Sequence, residues 1–213
     1  INDKKTKIMP FNFTKKYDFL PTMFAGDKQL DVTYSQKLLG VMLTSDCKWN
    51  ENTKYLVKKG YHRIWFLRRL KALGASINVL LDHYHKTVRS CLEFMVPLWG
   101  GALTKKNSDD IERVQKNAFK VILSSKYGSY QMALETLEEK TLEQRRKILS
   151  RKFGVKNSKN PKMSSHFKKT RNMPRNASKY SPGEYLEPFT KSIRAHNGPI
   201  PYIIRLLNEK PPV

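Results

Sequence analysis

The spacing of apolar positions changes period along the chain. Through residue 46 it is near two: Leu30, Val32 and Tyr34 alternate with polar residues, and Leu39, Val41 and Leu43 alternate with Gly40 and Met42. Such alternation predicts strands with one buried face, and Ala25-Gly26-Asp27 supplies turn chemistry between them. Lys7-Ile8-Met9 is a short β-permissive stretch that Pro10 would confine to a sheet edge. From about residue 50 to 157 the period becomes helical. Leu56, Val57, Tyr61, Ile64, Trp65 and Leu67 read as one arc, with Lys58, Lys59, Arg63 and Arg69 opposite and Gly74 as the stop. A second helix carries Ile77, Leu80, Leu81, Tyr84, Val88, Cys91 and Met95, with Pro97 ending it. A third is expected after Ser108, through Ile111, Val114, Gln115, Ala118, Phe119 and Ile122, and a shorter fourth over Tyr130 to Leu137. Thr141-Leu142-Glu143-Gln144 is a capping-box sequence opening a fifth helix to about Val155.

Beyond this zone, residues 156 to 181 hold basic residues and no acid, including Lys168, Lys169 and Arg171, among Asn, Ser and Pro. A stretch this polar is expected to be mobile unless a polyanion holds it. Pro201 to Leu207 regains apolar character and is expected to dock on the bundle. The expected fold is therefore α+β and mostly α. A short antiparallel strand segment (1–46) is followed by a helical bundle (47–157) and a basic, poorly ordered linker and tail (158–213).

Charge sharpens the functional reading. Lys and Arg number 41 and Asp and Glu 18 among 213 residues, a formal net charge of +23, which favours polyanionic partners. A hydrophobic content of 39% is too rich for a wholly disordered basic tail. The longest apolar run, from Phe94 to Leu103, includes Pro97 and is too short to span a membrane. Two cysteines, Cys47 and Cys91, fit a reducing, intracellular compartment, nucleus or cytoplasm, and argue against a secreted disulfide scaffold. The start at Ile1, with no initiator Met or signal-peptide core, reads as a piece of something longer.

No self-contained active site is apparent. Asp109-Asp110 is read as helix-start acid complementing the macrodipole rather than a metal-binding pair. The histidines and cysteines lack zinc spacing, and neither a phosphate-binding Gly-rich loop nor a nucleophile elbow is present. The first helix is more informative. Lys54, Lys58, Lys59, Arg63, Arg68, Arg69 and Lys71 occur with only Glu51 to offset them, beside Tyr55, Trp65 and Phe66. A one-sign face interleaved with aromatics suits contact with a phosphate backbone, which positions a nucleic acid without reading its sequence.

The order of short motifs resembles the end of the palm and the thumb of reverse transcriptases of non-LTR (LINE-like) retrotransposons. The likeness is carried by Asn2-x-x-Lys5-Thr6-Lys7-Ile8-Met9 and by Lys37-Leu38-Leu39-Gly40-Val41 with Leu43, Trp49 and Asn50. It continues through Phe66-Leu67-Arg68-Arg69-Leu70, Leu81-x-x-Tyr84, Arg89-x-x-Leu92-Glu93, Pro97-Leu98-Trp99 and Leu103-Thr104. Ile111-Glu112-Arg113-Val114-Gln115-Lys116, Leu137, Leu142, Arg145-Arg146, and Pro201-Tyr202 to Leu206-Leu207-Asn208 complete it. The resemblance implies that Leu39 and Gly40 match the turn holding the primer end. It implies that Lys5 matches an accessory lysine acting on pyrophosphate or the incoming nucleotide. The metal-binding aspartates of the family lie upstream of this sequence. By this reading the chain binds no cofactor itself, and Mg2+ belongs to the parent polymerase. Template–primer RNA and DNA, and the upstream palm and fingers, are then its partners, with no membrane involved. The alternatives are a stand-alone basic nucleic-acid-binding protein derived from such an element, and a ribosome-associated basic protein.

Overall fold

The computed structural model of the chain describes residues 6–11, 22–170 and 184–209. It is mostly helical with a few short strands, the α+β, mostly α class the patterning predicts. The chain divides into two units, Ile1–Leu56 and Val57–Val213.

The first unit pairs its strands two by two. β2 (Phe24–Ala25) and β3 (Lys28–Gln29) form a hairpin across Gly26-Asp27, and Gly26 takes φ +63°. β5 (Ser35–Leu38) and β6 (Val41–Thr44) form a second hairpin, in register Ser35 to Thr44. Its two-residue turn, Leu39-Gly40, has φ 47° and 91°, and two consecutive positive values match the strand twist. The expectation of purely antiparallel strands is corrected by β1 (Lys7–Ile8), which pairs parallel with β4 (Asp31–Val32). The expectation of one buried face is corrected as well. Val41 is buried, but Phe24, Val32, Tyr34, Leu38 and Leu39 are exposed, since the described strands pair only two by two and offer little sheet to cover a face. Within this unit the Met42 amide donates to Asn52 Oδ1 at 3.1 Å, and the Lys37 ammonium lies 4.7 Å from the Tyr55 ring centre.

The second unit is a helical assembly. α1 (Asn50–Ala72) begins in the first unit and ends before Gly74, whose φ of +80° stops it. The helix expected from Ile77 to Pro97 is broken earlier. α2 (Ile77–His83) passes into a π-helical turn over Tyr84–Arg89 and then α3 (Ser90–Leu92). Met95 adopts a left-handed conformation (φ 55°), so Pro97 lies in the first turn of α4 (Val96–Trp99) rather than stopping the preceding helix. The Trp99 indole N–H donates to the Phe94 carbonyl at 2.9 Å and fixes this reversal.

α5 (Lys105–Leu123) begins four residues ahead of the expected start. Thr104 caps it, accepting from the Asn107 amide, so Asp109 and Asp110 fall in its second turn, where Asp110 pairs with Arg113 at 2.9 Å. α6 (Tyr130–Thr136) lies where predicted. So does α7 (Leu142–Ser158), with both halves of the Thr141–Gln144 capping box formed. α9 (Pro199–Asn208) follows the single turn α8 (Ile193–His196) and packs on α7 through Ile203, Ile204 and Leu206, the docking its apolar run predicted. Gly154 permits this contact, since a Cβ there would fall 2.5 Å from Ile203 Cγ2. The stretch expected to be mobile is anchored over its described part. Phe167 is buried against Ile203 and Ile204, and the Leu186 and Thr170 amides donate to the Lys168 and Glu184 carbonyls.

A buried polar hub ties the helices together. The Tyr84 hydroxyl donates to Gln115 Oε1, and Gln115 Nε2 donates to the Tyr130 hydroxyl at 2.8 Å and to the Lys140 carbonyl at 3.0 Å. Tyr130 in turn donates to Glu112, which also accepts from the Leu142 amide at the start of α7. Burial, the larger cause, pushes both phenols above their ordinary pKa and keeps them as O–H donors. Gln115→Leu leaves the Tyr84 hydroxyl without its acceptor and is expected to cost about 1–3 kcal/mol. In chemical denaturation, adding Tyr84→Phe should restore part of that loss; full additivity of the two changes would contradict the hub.

Candidate nucleic-acid interface

Between Val57 and Ala72, α1 carries six basic residues and no acidic one. Its buried positions in the second unit are Gly60, Ile64 and Leu67, at i, i+4 and i+7. Gly60 makes the closest approach: a Cβ there would lie 2.8 Å from Val114 Cγ1 and 3.2 Å from Leu92 Cδ2. Tyr61 and Trp65 each follow a buried residue and are therefore rotated about 100° away from the packed face. That corrects their assignment to the apolar arc: Trp65 and Phe66 are each 47% exposed, and Tyr61 is exposed beside them.

The result is an interleaved band. Lys58, Tyr61, Trp65 and Arg68–Arg69 follow one another along the helix at i, i+3, i+7 and i+10/11, and all are exposed. Lys59, His62 and Phe66 form the adjoining row. The aromatics brace one another, with Phe66 edge-on to Trp65 at 4.9 Å and to His62 at 5.7 Å. The Arg69 guanidinium lies 4.9 Å from the Trp65 ring centre. Tyr61 is held by a 2.9 Å hydrogen bond from Asn117. This face offers cations for phosphates and upright aromatic edges and faces for bases.

Not every predicted basic residue joins it. Arg63 donates to the Thr87 carbonyl in the π-helical turn, and Lys71 reaches the Ile122 carbonyl at the end of α5, at 3.2 Å. Both bind backbone and fasten α1 to its neighbours. Lys54, in the first unit, pairs with Glu51 at 2.7 Å. Lys168 is exposed, and Lys169 pairs with Glu184 at 2.7 Å, on the segment anchored by Phe167. Leu39, 84% exposed, and Gly40 form the tip of the β5–β6 hairpin in the first unit. Lys5 and Arg171 lie outside the described residues.

Sequence reasoning missed a cleft of about 300 Å³ beside the band. Arg63 and Phe66 form one wall, and His83, Lys86, Thr87 and Ser90 the other. Lys86 pairs with Asp82 at 2.8 Å, and His83 Nε2 is buried with no hydrogen-bond partner among the described residues. Desolvation, only partly opposed by Asp82, holds the His83 imidazole below its ordinary pKa. The signal for this cleft is three-dimensional, since the π turn sets its far wall. Among the described residues, no group of three or more His, Cys, Asp or Glu could hold a metal ion, and no helix is long and apolar enough to cross a membrane. No protein-family model, curated protein or solved structure matches the chain.

The His83 shift has a definite sign. Its folded pKa is depressed, so the unfolded chain binds more protons between the two values. Its stabilising contribution is full above about pH 6.5 and is lost as pH falls through the folded pKa. Melting temperatures between pH 7.5 and 5 should fall less steeply for His83→Gln than for the wild type; parallel curves would contradict this.

Proposed function

We propose that this chain is the palm-end and thumb portion of an RNA-directed DNA polymerase of the non-LTR retrotransposon type. In this reading α1 lies along the template–primer duplex and grips it by its backbones. The observation that carries the proposal is the exposed band of α1, in which Lys58, Arg68 and Arg69 flank Tyr61, Trp65 and Phe66 with no carboxylate on the same stretch. A solvated helix face usually mixes both signs and keeps its aromatics inside, so this composition is better suited to a polyanion with stackable bases. The order of motifs in the sequence supports the same family.

The physical role follows from what these side chains can do. Lysine and arginine displace condensed counterions from the phosphates, a contribution that is independent of sequence and steeply salt-dependent. Trp65 and Phe66 add stacking where the template is single-stranded, and stacking tolerates any base. The hairpin tip at Leu39-Gly40 corresponds to the primer-grip turn and Lys5 to the accessory lysine. The two divalent ions of polymerisation, held upstream, would activate the primer hydroxyl and stabilise the leaving pyrophosphate. Binding and positioning are the share of this chain, which by itself is expected not to extend a primed RNA template with magnesium present.

Fluorescence anisotropy with an RNA–DNA primer–template tests the grip. The triple substitution Lys58→Ala, Arg68→Ala, Arg69→Ala is expected to lower the slope of log K against log salt by about 3, one for each phosphate contact. Trp65→Ala should leave that slope intact while weakening single-strand binding by about 1–3 kcal/mol. A triple variant with wild-type affinity and slope would overturn the proposal.

A further inference from the structure

A second basic site lies in the helical unit, in a cavity of about 430 Å³ at the start of α5. α5 is 19 residues long, and the cavity reaches Thr104, Lys105 and Ser108 on its first turn and cap. The Thr104 hydroxyl satisfies the Asn107 amide at 3.2 Å, whereas the amides ahead of it have no partner within the helix. They form the positive end of the helix dipole, a position that favours an anion.

The independent observation is Arg146. It comes from α7 and is only 4% exposed, yet it is among the residues that line the cavity. Its Nη2 donates to Ser108 Oγ, while its Nη1 is buried and finds no hydrogen-bond partner among the described residues. Among the described residues, no carboxylate lies within ion-pairing distance of it; Glu112 and Glu143 act on it only at longer range. A buried guanidinium, always charged, is costly without an acceptor or a counterion. Lys105 and Lys147 add charge at the rim. Two acids, Asp109 and Glu143, also line it; Glu143 pairs with Lys147 at 3.8 Å, and Lys105 and Arg146 against Asp109 leave one positive charge in excess. Tyr202 closes one wall against Gly101, where a Cβ would fall 2.2 Å from the ring. Burial raises the Tyr202 pKa and keeps its phenol an O–H donor.

We infer that this cavity binds a phosphate group, carried by a small phosphate ester or by the phosphorylated end of a strand. The forked guanidinium and the helix amides suit a multi-oxygen anion, and the volume leaves room for the substituent on the ester. The site is separate from the α1 band and does not depend on the role proposed for it.

The test is thermal unfolding of the full chain titrated with inorganic phosphate, with chloride holding ionic strength constant. Phosphate should raise the melting temperature saturably. Lys105→Ala with Lys147→Ala, changing only rim residues, should weaken the response roughly tenfold, the weight of one charge-assisted hydrogen bond. Arg146→Lys should weaken it too, whereas Lys58→Ala with Arg69→Ala on α1 should leave it unchanged. Equal effects of phosphate and chloride, or a rim variant that titrates like the wild type, would overturn the inference. Ribose 5-phosphate and paired oligonucleotides with 5′-phosphate or 5′-hydroxyl ends then identify the source. A rim-dependent advantage of the phosphorylated strand assigns a strand end; equal strand affinities with ribose 5-phosphate bound assign a small ester.

Discussion

Gln115 is a neutral side chain at the centre of a heavily charged chain, and the helical unit is organised around it. Fully buried, it joins the π-helical turn, α6 and the entry to α7 through Tyr84, Tyr130 and the Lys140 carbonyl. Beside it on α5, the preceding residue Val114 receives the bare backbone of Gly60. The same short piece of α5 thus fixes the polar centre and the seat of α1. A binding face carried on a helix held this way is more precise than one carried on a loop.

Carboxylates and cations are sorted by depth. Glu93 clamps Arg145, Glu112 takes Tyr130 and the Leu142 amide, and Glu139 joins His85 to Arg89, each largely withdrawn from solvent. These acids spend their charge inside, on contacts that bridge residues far apart in sequence. Arg63 and Lys71 are likewise spent on carbonyls. The outer side of α1 keeps its remaining cations, with no acid to neutralise them between Val57 and Ala72. Segregation of this kind concentrates positive potential where a polyanion can reach it.

Much of this was legible in the sequence because the signals are local. The Thr141–Gln144 box, the Gly74 stop, the turn at Gly26-Asp27 and the apolar run of α9 each depend on residues a few positions apart, whereas the alternation reads Leu39 and Gly40 into a strand and the structure makes them the hairpin turn. Position 104 shows the limit of such reading: Thr104 and Ser108 are both capable caps, and the helix starts from the earlier one, with Asn107 buried in its first turn. The π turn and the left-handed Met95 have no local signature. At the site, the charges of α1 were plain, but the side on which Tyr61 and Trp65 lie was not. Gly60, apolar by absence of a side chain, sets the centre of the buried face and rotates both rings outward. Many of the motifs that carry the family resemblance, among them Tyr84, Glu93, Gln115 and Arg145, prove to be framework contacts, so they report on the fold more directly than on the chemistry.

The most direct test of the central claim is amide chemical-shift mapping of the chain titrated with an RNA–DNA primer–template at moderate salt. Perturbations concentrated on Lys58 to Arg69, with the Trp65 indole resonance shifted and the buried Trp99 indole unmoved, are the expected result. Perturbations confined to the basic residues around Lys168, with α1 silent, would contradict the account.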